Sequence, residues 1–259
     1  NLIAAASRNH STLLTYGGAY SNHIAAVARA GKLHGFRTIG VIRGEELCDR
    51  VNGNPTLSFA KRQGMQLYFI TRAAYAQKSG TLHIEKLKQK FGRFYLLPEG
   101  GTNPLAVKGC AEIISKRHSN FTHICVPVGT GGTMAGVVAS AAAHQKVMGF
   151  SALQGAFQKG EIKKHTDNKN FEITDRFNFG GYAKINETLI SFMNRFNDRT
   201  GIPLDPVYTS KMFFGIHKLV HRGHFPDNSR ILAIHTGGLQ GVAGMNKKLE
   251  QKNLPLLYV

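Results

Sequence analysis

The chain has 259 residues, with 33 lysines and arginines against 15 acidic residues and a formal charge of +18. Hydrophobic content of 42% and charged content of 19% are those of a globular protein of one large or two small domains, and no apolar run approaches the ~20 residues of a membrane span. The cations are scattered along the whole chain with no interleaved aromatic motif, which favours a broadly positive, anion-attracting surface over specific nucleic-acid binding.

In chain order, strands and helices alternate. The chain opens without Met at Asn1-Leu2-Ile3-Ala4-Ala5-Ala6, inside a helical stretch, so a preceding N-terminal segment is expected. Thr12 to Tyr16 reads as a strand, Gly17-Gly18 as its turn, and Asn22 to His34 as a helix. Thr38 to Ile42 is the next strand. Asn54 caps a helix that starts at Pro55 and runs through Arg62, and Gln66 to Ile70 is a strand. A basic helix, Leu82 to Phe91, leads to the strand Phe94 to Leu97 and the glycine turn Pro98-Glu99-Gly100-Gly101-Thr102. Asn103-Pro104 opens a helix through about Lys116. Repeated strand–helix alternation with short turns predicts α/β architecture with parallel sheets flanked by helices. The division falls near residue 118, giving a smaller domain over 11–118 and a larger one from 1–10 and 119–259.

The strongest stretch follows. Thr122 to Val126 is a buried strand, Gly129-Thr130-Gly131-Gly132-Thr133 its turn, and Met134 to Ala143 a helix of small residues. Strand, glycine turn and helix start present backbone N–H groups to a phosphate, and the two threonines add hydroxyls. A tight turn whose glycines only supply positive φ would read the same way. A P-loop is excluded because no Gly-Lys-Ser/Thr follows, and the dinucleotide fingerprint because its spacing is absent. Val147 to Ser151 is another strand. Residues 154–182 read as a long loop region with a short strand. Glu187 to Arg199 and Lys211 to Arg222 are helices, Arg230 to Ile234 a strand, and His235-Thr236-Gly237-Gly238 a second glycine turn. Cys48, Cys110 and Cys125 are odd in number and lack metal spacing, so they read as free, buried thiols of a reducing compartment.

Two more stretches point to chemistry. Ser21 and Asn22 sit at a helix start, where amides and the helix dipole favour a carboxylate, although an ordinary cap looks alike. Asp205-Pro206-Val207-Tyr208-Thr209 precedes a helix and is equally compatible with a plain cap. Glycine turns at the C-terminal ends of parallel strands open onto the usual ligand crevice of an α/β sheet.

Jointly, Gly17-Gly-Ala-Tyr-Ser-Asn-His23, Arg43-Gly-Glu-Glu46, Asn54-Pro-Thr-Leu-Ser-Phe59, Pro98-Glu-Gly-Gly-Thr102, Val128-Gly-Thr-Gly-Gly-Thr133, Asp205-Pro-Val-Tyr208 and His235-Thr-Gly-Gly238 resemble the D-cysteine desulfhydrase / 1-aminocyclopropane-1-carboxylate (ACC) deaminase family. These are pyridoxal-phosphate (PLP) enzymes of fold type II, the tryptophan-synthase-β type. The resemblance covers nearly the whole chain.

It implies that Gly129, Thr130, Gly131, Gly132 and Thr133 cradle the cofactor phosphate, that Asn22 bonds the ring hydroxyl, and that Thr209 faces the pyridine nitrogen. It implies that Ser21, Asn22 and His23 hold the substrate, with Ser21, Tyr182 and Tyr208 catalytic. It further implies a small amino-acid substrate, a homodimer and a cytoplasmic setting without membrane or nucleic-acid partner. The family's Schiff-base lysine lies in a Gly-Asn-Lys segment that would sit just upstream of Asn1; Lys32 is no substitute. The implied reaction is β-elimination from D-cysteine to pyruvate, ammonia and sulfide. ACC deamination is the alternative, and a non-catalytic PLP or anion binder is the rival of another class. Thr209 stands where ring-opening members carry glutamate, and His23 where they tend to carry glutamine; both favour β-elimination.

Overall fold

The computed structural model describes residues 1–155 and 157–258. The chain divides into two compact units, Asn1–Gly101 and Thr102–Val259.

The first unit runs α1 (Leu2–Ser7), β1 (Thr12–Gly17), α2 (Asn22–Leu33), β2 (Arg37–Arg43), a 3-10 stretch (Glu45–Gly53), α3 (Pro55–Arg62), β3 (Gln66–Ile70), α4 (Arg72–Ala76), α5 (Thr81–Phe91) and β4 (Tyr95–Leu96). Its four strands are parallel in the order β3-β2-β1-β4. Every residue of β1 is buried, as befits a central parallel strand covered on both faces. On one side Leu13, Ile24, Val27, Ile42 and Leu57 form a core, and on the other Leu14, Tyr16, Ile39 and Val41 form a second. Helix α2 lies so close to β2 that a Cβ on Gly31 would strike the methyl of Thr38. Asn54 Oδ1 accepts from the Leu57 amide at 2.9 Å, with Pro55 at the first helical position, the cap its sequence announces.

The second unit runs α6 (Pro104–Ala111), a 3-10 turn (Lys116–His118), β5 (His123–Val128), α7 (Gly132–Ser140), β6 (Lys146–Ser151), α8 (Gln158–Lys163), β7 (Phe171–Thr174), α9 (Glu187–Thr200), α10 (Thr209–His221), β8 (Ile231–Ala233) and α11 (Gly241–Glu250). Its strands are also parallel, in the order β7-β6-β5-β8. Both sheets therefore reverse direction at the same place, between the first strand and the last. In the first unit the loops after β1 and β4 flank that switch point, and in the second those after β5 and β8 do. This is where an open parallel sheet leaves its ligand crevice.

Four expectations meet a different structure. Residues 1–10 do not join the second half: Ala5 packs with Leu13 and Ile24 in the first unit's core. Residues 102–118 do not join the first half: α6 packs on α7, where a Cβ on Gly136 would lie 2.5 Å from the Val107 carbonyl oxygen. Residues 154–182 hold α8 as well as the edge strand β7, because six-residue helices leave little periodicity to read. All three cysteines are free, but only Cys125 is buried: Cys110 is partly so, and Cys48 is exposed on the 3-10 stretch. Among the described residues no helix is long and apolar enough to cross a membrane.

Candidate functional site

In the second unit, β5 ends at Val128 and α7 begins at Gly132. Gly131 caps the helix with φ of 100°, a left-handed backbone that glycine adopts at least cost. The helix ladder starts with the Ala135 amide bonding the Gly131 carbonyl at 2.8 Å, so the amides of Gly132, Thr133 and Met134 have no ladder partner. Side chains crowd the turn from behind. A Cβ on Gly129 would lie 3.1 Å from the Tyr208 ring, and one on Gly132 would lie 2.7 Å from the Thr102 hydroxyl. Thr102 and Thr130 share a hydrogen bond of 2.7 Å between their hydroxyls. Gln158, wholly buried, donates from Nε2 to the Gly129 carbonyl at 3.2 Å and to Ser151 Oγ at 2.9 Å. That bond turns the Gly129 carbonyl toward α8. The product is a concave turn with N–H donors, two hydroxyls and no acidic residue between Val126 and Gly136.

The Tyr208 ring that covers Gly129 leads into α10. Asp205, 1% exposed, accepts from the amides of Val207, Tyr208 and Thr209 at 2.8, 2.9 and 2.7 Å. The buried Thr209 hydroxyl accepts in return from the Asp205 amide at 2.9 Å, which leaves its own proton to donate. Asp205 is not the N-cap of α10, which is Tyr208 with no side-chain cap; its carboxylate instead closes the turn ahead of the helix and fixes Tyr208 and Thr209. Tyr182 is 49% exposed and meets Tyr208 edge to face, ring centroids 6.1 Å apart. Thr133 faces the Cys110 thiol, which burial pushes up. So the second unit brings Gly129, Thr130, Gly131, Gly132, Thr133, Tyr182, Tyr208 and Thr209 into one neighbourhood.

In the first unit, Ser21 caps α2, its Oγ accepting from the Ile24 amide at 3.3 Å, and Asn22 is the first helical residue. The His23 ring turns back toward the sheet. Thr15 donates its proton to the Leu97 carbonyl at 3.1 Å and so accepts from His23 Nε2 at 2.8 Å. The ring also lies where a Cβ on Gly101 would be 2.9 Å from its Cε1, tying the loop after β1 to the loop after β4. Burial pushes His23 down to about 4, against the opposing pull of Glu99 and the Pro98 carbonyl. At neutral pH the imidazole is uncharged. Any carboxylate affinity of this turn therefore rests on Ser21 and the helix amides. Glu99 is committed as well: Tyr75 donates to it at 2.7 Å and Lys78 pairs with it at 3.2 Å.

Each unit is a parallel sheet with glycine turns at its switch point, and the turn after β5 offers amide donors suited to an anion; this is the architecture of an α/β ligand-binding fold. Over residues 1–237 the chain matches the family described as pyridoxal-phosphate dependent enzymes, and it belongs to that family. It is 29% identical over 270 residues to a Pyrococcus horikoshii protein provisionally named 1-aminocyclopropane-1-carboxylate deaminase, covering 95% of this chain and 79% of the relative. It is 28% identical to the Arabidopsis thaliana mitochondrial bifunctional D-cysteine desulfhydrase/1-aminocyclopropane-1-carboxylate deaminase, covering 93% of this chain and 67% of that protein. The crystal structure of an ACC deaminase homologue superposes with a TM-score of 0.79 at 26% identity, covering 96% of this chain and 81% of that one. An O-acetylserine dependent cystathionine beta-synthase from Helicobacter pylori, 16% identical with a TM-score of 0.64, shares the type II fold.

Pyridoxal phosphate is thus the cofactor, and the second unit fits it. The unpartnered first-turn amides of α7 and the hydroxyls of Thr130 and Thr133 suit a phosphate, and the Tyr208 ring lies directly beside that turn.

Sequence reasoning overlooked Gln158 and Lys211. Gln158 lies in a stretch without clear periodicity, and nothing in it announces a buried amide. Lys211 sits two residues past Thr209 on a helix that was recognised, yet only the fold reveals that it is buried. Lys32, by contrast, lies exposed in the last turn of α2.

Proposed function

We propose that this protein is a PLP-dependent lyase that eliminates a β-leaving group from a small amino acid, with D-cysteine as the type substrate: D-cysteine and water give pyruvate, ammonia and hydrogen sulfide. When bound, the cofactor supplies an electron-accepting ring joined to the substrate nitrogen. In this reading Gly129 to Thr133 hold the phosphate, and Thr209 donates a hydrogen bond from its hydroxyl to the pyridine nitrogen. Asn22 bonds the ring hydroxyl. Ser21 and the α2 amides bind the substrate carboxylate, with neutral His23 shaping the turn rather than supplying charge. Tyr208 and Tyr182 flank the reacting carbon and move protons at the leaving group.

The observation that carries the choice of reaction is the turn Asp205–Thr209. Its one carboxylate is spent on three backbone amides, and the buried side chain at its end, Thr209, is a hydroxyl. A neutral pyridine nitrogen accepts a hydrogen bond from a hydroxyl, whereas a pyridinium is stabilised by a carboxylate. The start of α10, with its partial positive charge, adds a further bias against the cation. The weaker electron sink that results suffices for a good leaving group such as sulfide. The alternative reading is ACC deamination, ring opening to 2-oxobutyrate and ammonia: the Pyrococcus horikoshii relative is provisionally named for that activity alone, and the Arabidopsis thaliana relative carries both activities in its name.

Product analysis tests the elimination. The natural protein, saturated with PLP and given D-cysteine, is expected to release pyruvate, ammonia and sulfide in equal amounts. Sulfide without pyruvate, or no turnover of any small amino acid, overturns the proposal in favour of a binding role.

A further inference from the structure

Lys211 is 1% exposed, among the largest fully buried side chains of the protein. An ammonium removed from water is costly unless it is compensated by hydrogen bonds or charge. Here Nζ donates to the Gly181 carbonyl at 2.6 Å and reaches the Ala152 carbonyl at 3.4 Å. Burial holds the ammonium down to about 8, and the nearby charge of Asp205 opposes this.

The partner it grips is unusual. Phe179, Gly180, Gly181 and Ala183 all have positive φ, at 53°, 94°, 109° and 54°. Two of these are not glycine, and such backbone persists only where its surroundings over-determine it. Phe179 is anchored against Phe214, ring centroids 5.0 Å apart, and Asn178 bonds the Gly180 amide at 2.8 Å. Tyr182 is carried by this same turn, between Gly181 and Ala183. The carbonyl of Gly181 and the amide nitrogen of Tyr182 belong to one planar peptide unit. Fixing that carbonyl fixes the direction in which the Tyr182 side chain leaves the backbone.

Lys211 is rooted on α10, three residues after Tyr208. We propose that Lys211 is a positioning residue: its buried ammonium ties the strained Phe179–Ala183 turn to α10 and so sets Tyr182 against Tyr208. That the two tyrosines serve the reaction rests on the function proposed above; the positioning itself does not.

Two measurements separate these claims. The chain contains no tryptophan, so Tyr182→Trp provides a single reporter on the turn. Adding Lys211→Met, which keeps the stem and removes the donors, is expected to raise acrylamide quenching of that reporter at least twofold and to lower its anisotropy. Unchanged quenching overturns the proposal, whatever the enzyme's substrate. The second measurement is kinetic. Lys211→Met is expected to lower kcat at least tenfold with PLP occupancy retained, and by less than twofold in a Tyr182→Phe background. A penalty of equal size in both backgrounds means a general structural role and contradicts the proposal. Should Lys211→Met fail to fold, Lys211→Gln retains an N–H donor on a shorter stem. Intermediate values of both readouts are then expected, and wild-type values overturn the proposal.

Discussion

Thr130→Asp is expected to weaken PLP binding at least a hundredfold while leaving the fold intact. Thr130 is exposed, and among the described residues its hydroxyl bonds Thr102 alone, so the substitution buries nothing. It places a carboxylate in a turn that otherwise holds amide donors, hydroxyls and no acid. A phosphate dianion ~6 Å from a carboxylate at an effective dielectric of ~20 costs about 5 kcal/mol, of which solvent screening removes part. Thr130→Ala loses one hydroxyl and is expected to cost about 1 kcal/mol, roughly a fivefold change. Gly131 is a poorer place for this test. Its Cβ would point at Gln158 and Ile162, each 3.6 Å away, and its φ of 100° would strain any side chain. The check is a PLP titration of the dialysed protein beside a thermal melt. Full PLP occupancy in a well-folded Thr130→Asp protein would remove the phosphate cradle from the account.

His23 is expected to make the protein's stability fall with acid over a defined window. Its unfolded value is 6.5 and its folded value about 4, depressed chiefly by burial. Between those values the unfolded chain binds a proton that the folded chain refuses, so stability rises with pH across the window. Above about pH 6.5 neither state is protonated and the dependence vanishes. Each pH unit inside the window is worth at most ~1.4 kcal/mol, so the full drop is about 3 kcal/mol. His10, His83, His123 and His217 are also depressed and add slopes of their own. The variant His23→Gln keeps an N–H donor for Thr15 and removes only this component. Denaturant midpoints of both proteins at pH 7 and pH 4.5 decide the matter: the variant should lose less stability on acidification. Parallel losses in the two proteins would mean that His23 is protonated in the fold.

What the sequence made legible is local. Gly131 needs its left-handed backbone whatever surrounds it, and Asn54-Pro55 and Asn103-Pro104 cap their helices with atoms two or three residues away. Such features survive translation from sequence to structure because one turn of chain contains all their partners. Strand–helix alternation is legible segment by segment, and the short connections then require parallel pairing even though the paired strands lie far apart in sequence. The features that were illegible depend on distant residues. His23 has the chemistry of a carboxylate clamp until the loop after β4, some 75 residues on, closes over it and strips its charge. Gln158 reaches back 29 residues to turn the Gly129 carbonyl. Lys211 grips a carbonyl 30 residues upstream, and in sequence is one lysine among many. The unit boundary was misplaced because α6 looks like a continuation of the first half. Its packing assigns it to the second: Val107 joins the core of β5 and α7, and Gly136 lets α7 approach it closely.

The choice between elimination and ring opening is decided most directly by kcat/KM measured side by side. The natural PLP-loaded protein would be given D-cysteine, β-chloro-D-alanine and ACC under one set of conditions, scoring pyruvate against 2-oxobutyrate. A hydroxyl at position 209 predicts that both elimination substrates exceed ACC by at least tenfold, a difference of about 1.4 kcal/mol in transition-state stabilisation. ACC turned over as well as or better than D-cysteine, with Thr209 in place, would contradict the account.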